Sequence, residues 1–216
     1  MAKKNNTKEA IATLDATEGA MQAGLGNCTA AKSLSQRSLG AVPDGRNRNL
    51  AALALAACGD ALRSETLVEE AVKSRPEDTE IQKVIYPLVH ALNQLGKGNG
   101  AGAGAALEPA RDYERAGAWS PFPSYWVIYI RGRAYLQMKD ADKAMGEFQK
   151  VLEHPGWRPA SEVRPLAQLE MARGLAMKGD TAKAKTGYQD FLAMWKDAEA
   201  DEPVFVEAKA EYGKLK

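Results

Sequence analysis

Few residues in this chain have types and spacings that could do chemistry, and the most suggestive is the run Gly96-Lys97-Gly98-Asn99-Gly100-Ala101-Gly102-Ala103-Gly104. A phosphate-binding loop needs a strand before it and a helix N-terminus after it, so that backbone amides converge on the anion. Here the preceding segment reads as a helix and no Gly-Lys-Ser/Thr closes the run, which predicts a flexible turn between two helices instead. His90 and His154 are the only histidines, and no Cys or carboxylate cluster stands at ligand spacing to either, against a metal site or a histidine-dependent triad. Glu69-Glu70 and Glu199, Asp201, Glu202 read as solvated charge. The sequence holds no kinase loop motif, glycine-bracketed serine or zinc-protease signature. The expectation is no catalytic residue, no cofactor, no metal and no enzymatic activity. Cys28 and Cys58, each in an Ala-rich helical segment, read as free, partly buried thiols, with pairing as the alternative.

The elements that carry the side chains are helices. The stretch from Tyr125 to Pro155 holds Gly132 and Tyr135, a polar break at Met138 to Asp142, then Ala144, Phe148, Val151 and Pro155. Small residues at Gly132 and Ala144 let two helices approach, and Tyr135 and Phe148 fill the space beside that contact. Neither helix buries its apolar face alone, so one such pair predicts neighbours. A second copy stands at Ala172, Leu175, Ala184, Tyr188 and Phe191; Ala144 to Ala184 and Phe148 to Tyr188 are both offsets of 40. Ala52, Leu55, Ser64, Val68, Ala71 and Pro76 keep the spacing upstream, and Leu25-Gly26 to Leu39 and Ile81 to Ala110 are degraded versions. The pattern resembles the tetratricopeptide repeat. Its ideal period is about 34 residues, and the roughly six surplus residues fall in the Pro-rich loop from His154 to Ser161, where an insertion costs little.

At 216 residues, with 45% hydrophobic and 26% charged, the composition is that of a folded domain. The net charge of +1 gives no electrostatic case for nucleic acid or an anionic membrane as partner. No run of 18 or more apolar residues occurs and the start lacks the apolar core of a secretory signal, so the chain as written is expected to be cytoplasmic, without membrane insertion.

The sequence therefore predicts an all-α fold: a right-handed tetratricopeptide-repeat solenoid of about eleven helices, with units at 9–42, 45–76, 77–117, 124–156 and 162–198. Residues 1–8 are expected to be disordered, and 203–215 to form a capping helix, apolar inside and charged outside. Thr29 is a candidate helix cap, and Pro87 predicts a bend in the helix that runs from Ile81 to Leu95. The helix that begins in the glycine run is expected to continue to Tyr113, and Trp119 and Phe122 to plug the loop 116–123. Ser35 occupies a position that is normally apolar, which predicts weaker packing in the first half.

What remains for function is a surface. In such arrays the first helix of each unit lines the concave face. Trp126, Tyr129, Arg133 and Gln137 of one unit are expected to neighbour Leu169, Arg173 and Met177 of the next. Arg133 and Arg173 are offset by 40, hence equivalent, and suit a peptide carboxylate or acidic side chains. The alternative is that both pair with local acids such as Glu170. Exposed Tyr129, Arg133 and Arg173 would favour peptide binding; a groove filled by helix 203–215 would favour a structural or self-associating role.

The segments Ala56-Ala57-Cys58-Gly59-Asp60, Arg75-Pro76-Glu77-Asp78-Thr79, Tyr129-Ile130-Arg131-Gly132-Arg133-Ala134-Tyr135, Met177 to Ala184, Tyr188 to Ala198 and Ala208 to Tyr212 together resemble the C-terminal tetratricopeptide region of bacterial eukaryotic-like serine/threonine protein kinases, acidobacterial members closest. The resemblance spans roughly residues 9–216. It implies a kinase or winged-helix DNA-binding domain upstream, often with a membrane span between. This sequence lacks the catalytic lysine, the catalytic-loop Asp and the Mg-binding Asp, so it is expected to be the non-catalytic, partner-binding part, either a fragment or a stand-alone product.

Overall fold

The computed structural model describes residues 2–114, 124–154 and 162–215. Among the described residues there are eleven α-helices and no strand: α1 (Ala2–Gly24), α2 (Cys28–Ala41), α3 (Gly45–Ala57), α4 (Ala61–Ser74), α5 (Tyr86–Gly96), α6 (Gly100–Ala106), α7 (Ser124–Gln137), α8 (Ala141–Leu152), α9 (Val163–Met177), α10 (Thr181–Met194) and α11 (Pro203–Tyr212). None is long and apolar enough to cross a membrane. The expected plugs Trp119 and Phe122, and most of the loop from His154 to Ser161, lie outside the described residues.

The helices pair in chain order, α1 with α2, α3 with α4, α5 with α6, α7 with α8 and α9 with α10. One turn design joins all five pairs. Gly26, Gly59, Gly98, Lys139 and Gly179 sit at positive φ between 64° and 86°, each followed by Asn27, Asp60, Asn99, Asp140 or Asp180. The amide of that Asx residue reaches back five residues, as in Asn27 to Gln22 O (2.8 Å) and Asp180 to Leu175 O (3.0 Å), which satisfies a carbonyl orphaned at the helix end. In α4, α6, α8 and α10 its side chain then accepts from the third amide onward and caps the next helix. Left-handed backbone suits glycine, and Lys139 is the one departure.

Successive pairs stack through their first helices, α1 on α3, α3 on α5, α5 on α7 and α7 on α9, while each second helix also touches the first helix of the next pair. The resulting apolar core is continuous from Ala16 to Ala208. Close approach explains the small residues: a Cβ on Gly132 would overlap the Phe148 ring, one on Gly187 would lie 3.0 Å from Ala172 Cβ, and one on Gly100 would lie 2.6 Å from Ala134 O. The last contact revises the glycine run, of which only Lys97 to Asn99 is turn. Gly100, Gly102 and Gly104 lie in α6, with Gly100 set against the backbone of α7.

Four further expectations are corrected. The N-terminus is helical from Ala2, because the polar stretch contains no breaker and each residue added to a formed helix gains a hydrogen bond. Asn27, not Thr29, stands at the N-cap of α2, and it makes no side-chain cap bond. Ahead of Pro87 the chain forms a π turn over Ile81–Ile85, in which the Tyr86 amide bonds to Ile81 O; the register shift accommodates the donor that proline lacks. Past Ala106 the α-helix gives way to a 3-10 turn, Glu108–Tyr113, because Pro109 cannot donate to the carbonyl four residues back.

Cys28 and Cys58 are paired, not free: their Cα atoms lie 5.3 Å apart and the sulfurs are bonded. The reason is the repeat itself. Cys28 follows the first turn and Cys58 precedes the second, and stacking α1 and α2 on α3 brings the two turns side by side. Closing a loop of this length removes about 3–4 kcal/mol of unfolded-chain entropy in the simplest treatment. Ser35 is fully buried and its hydroxyl has no hydrogen-bond partner, which locates the weak packing in α2.

Candidate binding cavity

Helices α3, α5, α7 and α9 line a solvent-open cavity of about 380 Å³, within the range of ligand-sized clefts. Its apolar wall is Ala57, Leu92, Leu95 and Leu136; its polar wall is Arg133, Gln137, Glu170 and Arg173, with Met177 at the rim. Counted back from the turn residue of each pair, Ala57, Gly96, Gln137 and Met177 hold one and the same position, and Leu92, Arg133 and Arg173 another. The cavity is thus a consequence of stacking: equivalent side chains of four successive helices converge on one space.

Of the seven residues expected in the groove, Arg133, Gln137, Arg173 and Met177 line this cavity. Trp126, Tyr129 and Leu169 do not, because they are buried in the core. Trp126 lies under the end of α1, where a Cβ on Gly24 would come 2.7 Å from the indole Cη2. Tyr129 is enclosed by Trp126 at 5.7 Å and Phe148 at 6.0 Å between ring centroids. The aromatic positions that look like groove surface in a periodic reading are thus covered, Trp126 by the end of α1 and Tyr129 by Trp126 and Phe148.

Glu170 is the electrostatic centre. Its carboxylate, buried among helices, accepts from the Tyr129 hydroxyl at 3.3 Å and from Arg173 Nη1 at 3.0 Å, and lies 3.6 Å from Arg133 Nε. Arg173 is held by α11: Nε donates to Glu211 at 2.9 Å, and Nη2 lies 3.1 Å from Glu207 in an ion pair without a hydrogen bond. Burial works against its charge, yet Glu170 and Glu211 raise its proton affinity. Glu211 also accepts from the Tyr188 hydroxyl at 3.0 Å. Arg133 is different: its side chain is 45% exposed, with the guanidinium 5.9 Å from the Tyr129 ring centroid, so it is the cation of the pair that still faces solvent. Gln137 Nε2 donates to Leu95 O at 3.1 Å and ties α7 to α5 across the rim. No α11 residue lines the cavity; that helix holds Arg173 from the side.

Burial first, and then the Glu170 charge, push the Tyr129 phenol well above its ordinary 10.0, and burial with Glu211 does the same for Tyr188. A folded-state proton affinity raised in this way stabilises the fold fully below pH 10 and is lost as pH rises toward the folded value. Thermal melts followed by circular dichroism are therefore expected to show a melting temperature that falls above about pH 10, with a shallower fall in Tyr129→Phe.

Among the described residues no group of three or more His, Cys, Asp or Glu could hold a metal. His90 packs its ring 4.3 Å from Tyr86, and His154 Nδ1 lies 3.0 Å from Lys150 O. Both are placed by packing, away from the cavity. Glu207, Glu211 and the Ala57–Leu92–Leu95–Gly96 wall escape a reading aligned on aromatics; aligning the units on the Gly-Asx turns brings Ala57 and Gly96 into register with Gln137 and Met177. Compared with known protein families, with curated proteins and with solved structures, the chain gives no match.

Proposed function

We propose that this chain is a non-catalytic interaction module: a tetratricopeptide-type helical solenoid that takes an acidic segment or terminus of a peptide or protein into its concave cavity. The observation that carries the reading is the convergence of equivalent positions from four inner helices on one solvent-open space, apolar on one side and bearing the exposed Arg133 on the other. The five equivalent turns and the serial stacking support the repeat assignment. The resemblance to kinase-associated repeats adds a setting, the partner-binding part of a signalling kinase, and rests on the sequence segments alone. Nucleic acid is not favoured as ligand, given the near-zero net charge.

A structural or self-associating role is the second reading, favoured by the way α11 consumes Arg173 and the end of α1 covers Trp126. The Cys28–Cys58 pair further favours an oxidising compartment over the reducing cytoplasm expected from the sequence. The two functional readings separate at Arg133. Arg133→Gln removes the exposed charge without setting a new carboxylate beside Glu170, so peptide capture lost in this variant at unchanged melting temperature supports the module. Arg173→Glu is unsuitable as a probe, because it would set a carboxylate among Glu170, Glu207 and Glu211.

A further inference from the structure

The end of α1 and the turn that follows it reach helices distant in the chain. Gly24 lies edge-on against Trp126 of α7, Leu25 packs on the main core, and a Cβ on Gly26 would lie 3.3 Å from Pro203 Cβ at the start of α11. This one segment therefore touches the fourth of the five pairs and the last helix as well as its own neighbours. Yet the pair that carries it is weakly anchored. Its buried contacts are mainly alanines, Ala12, Ala16, Ala20, Ala23 and Ala31, with the unpaired Ser35 hydroxyl among them. Alanine buries little apolar area, so little hydrophobic free energy holds the pair down.

The covalent bond lies where that weakness matters. Cys28 is the first residue after the turn, and Cys58 caps α3 directly after Ala57, a residue of the cavity wall. Cys58 packs against a separate small cluster of Ala23, Ala31 and Ala54 that joins the first pair to the second. Both cysteines are half-buried.

We propose that the Cys28–Cys58 disulfide is a redox-controlled clasp: oxidised, it holds the α1–α2 turn closed over Trp126 and the start of α11; reduced, it releases that turn and opens the concave face. The step is an ordinary exchange with a dithiol reductant. The dithiol loses two electrons and two protons and becomes a disulfide, while the Cys28–Cys58 bond breaks to two thiols. Closing is the reverse, driven by a disulfide oxidant. The clasp is a property of the free chain; only its consequence for a ligand rests on the binding reading above.

The test is hydrogen exchange read by mass spectrometry on the full chain, air-oxidised and dithiothreitol-reduced, with Cys28→Ser/Cys58→Ser as a reductant-free mimic of the open form. The expected result is exchange accelerated roughly tenfold or more at 22–28, around Trp126 and at 203–206, with α8 and α10 unchanged. A red shift of tryptophan emission on reduction should accompany it and be absent in Trp126→Phe. Two free thiols in the oxidised chain, no change at 22–28 on reduction, or acceleration spread evenly over all helices would each overturn the clasp. No ligand is present, so failure here leaves the cavity reading intact, and failure of the Arg133 test leaves the clasp intact.

Discussion

Arg131→Met lowers the stability of the fold by about 3–5 kcal/mol in urea titration, the largest loss expected from any charged residue in the chain. Arg131 is 1% exposed, the largest fully buried side chain among the described residues. Its Nη2 bridges Glu147, at 2.7 Å, and Glu114, and Lys150 Nζ approaches Glu147 at 3.0 Å from the solvent side. Removing the guanidinium leaves Glu147 Oε2 and Glu114 Oε2 without their buried donor, Lys150 holding only Glu147 Oε1. Arg131 Nε and Nη1 have no hydrogen-bond partner among the described residues, so the cluster itself is not a strong net stabiliser. Arg131→Met/Glu147→Leu should accordingly regain most of the loss. Acid dependence supplies an independent readout. Burial pushes the Glu147 carboxyl up, but the hydrogen bond and charge of Arg131 outweigh it and hold it below its ordinary 4.5. Its contribution is present above pH 4.5 and lost as pH falls through the lowered value, and Arg131→Met should abolish this part of the acid limb.

Phe148→Ala is expected to cost about 3–5 kcal/mol, through lost burial and the cavity left behind. The ring is fully buried, against Tyr129 and over Gly132. Gly132→Ala is expected to cost about 1–3 kcal/mol for the opposite reason, since the added methyl enters space the ring already fills. The two should not add. In Phe148→Ala the methyl of Gly132→Ala enters vacated volume, so a double-mutant cycle should show a favourable coupling between the substitutions. Additive losses would mean that the α7–α8 contact is not set by this pair.

These residues are also where the sequence is most legible. Gly132, Ala144 and Phe148 announce a helix pair because small and aromatic residues recur at fixed spacing, and the repeat at Ala172, Ala184 and Tyr188 announces its neighbour. Local chemistry of this kind survives into the structure unchanged. Long-range consequences do not show in a periodic pattern. Trp126 reads as groove surface until Gly24, from the first helix pair, is found lying on it. Cys28 and Cys58 read as separate thiols until two turns of the same design are stacked side by side. The cavity wall of Ala57, Leu92 and Leu95 carries no charge to mark it, and it emerges only when units are aligned on their turns. Arg173 reads from the sequence as either a ligand contact or a partner of local acids, and the structure gives it to Glu170, Glu207 and Glu211.

The cavity as a recognition site is the central claim, and an array of acidic and neutral peptides with free or amidated C-termini, scored by fluorescence anisotropy against wild type and Arg133→Gln, tests it most directly. The account predicts saturable binding by a subset of carboxylate-bearing peptides that weakens at least about tenfold, 1.4 kcal/mol or more, in Arg133→Gln while helicity and melting temperature stay unchanged. Binding indifferent to the loss of this charge, or no binding across the array, would contradict it and leave the structural reading.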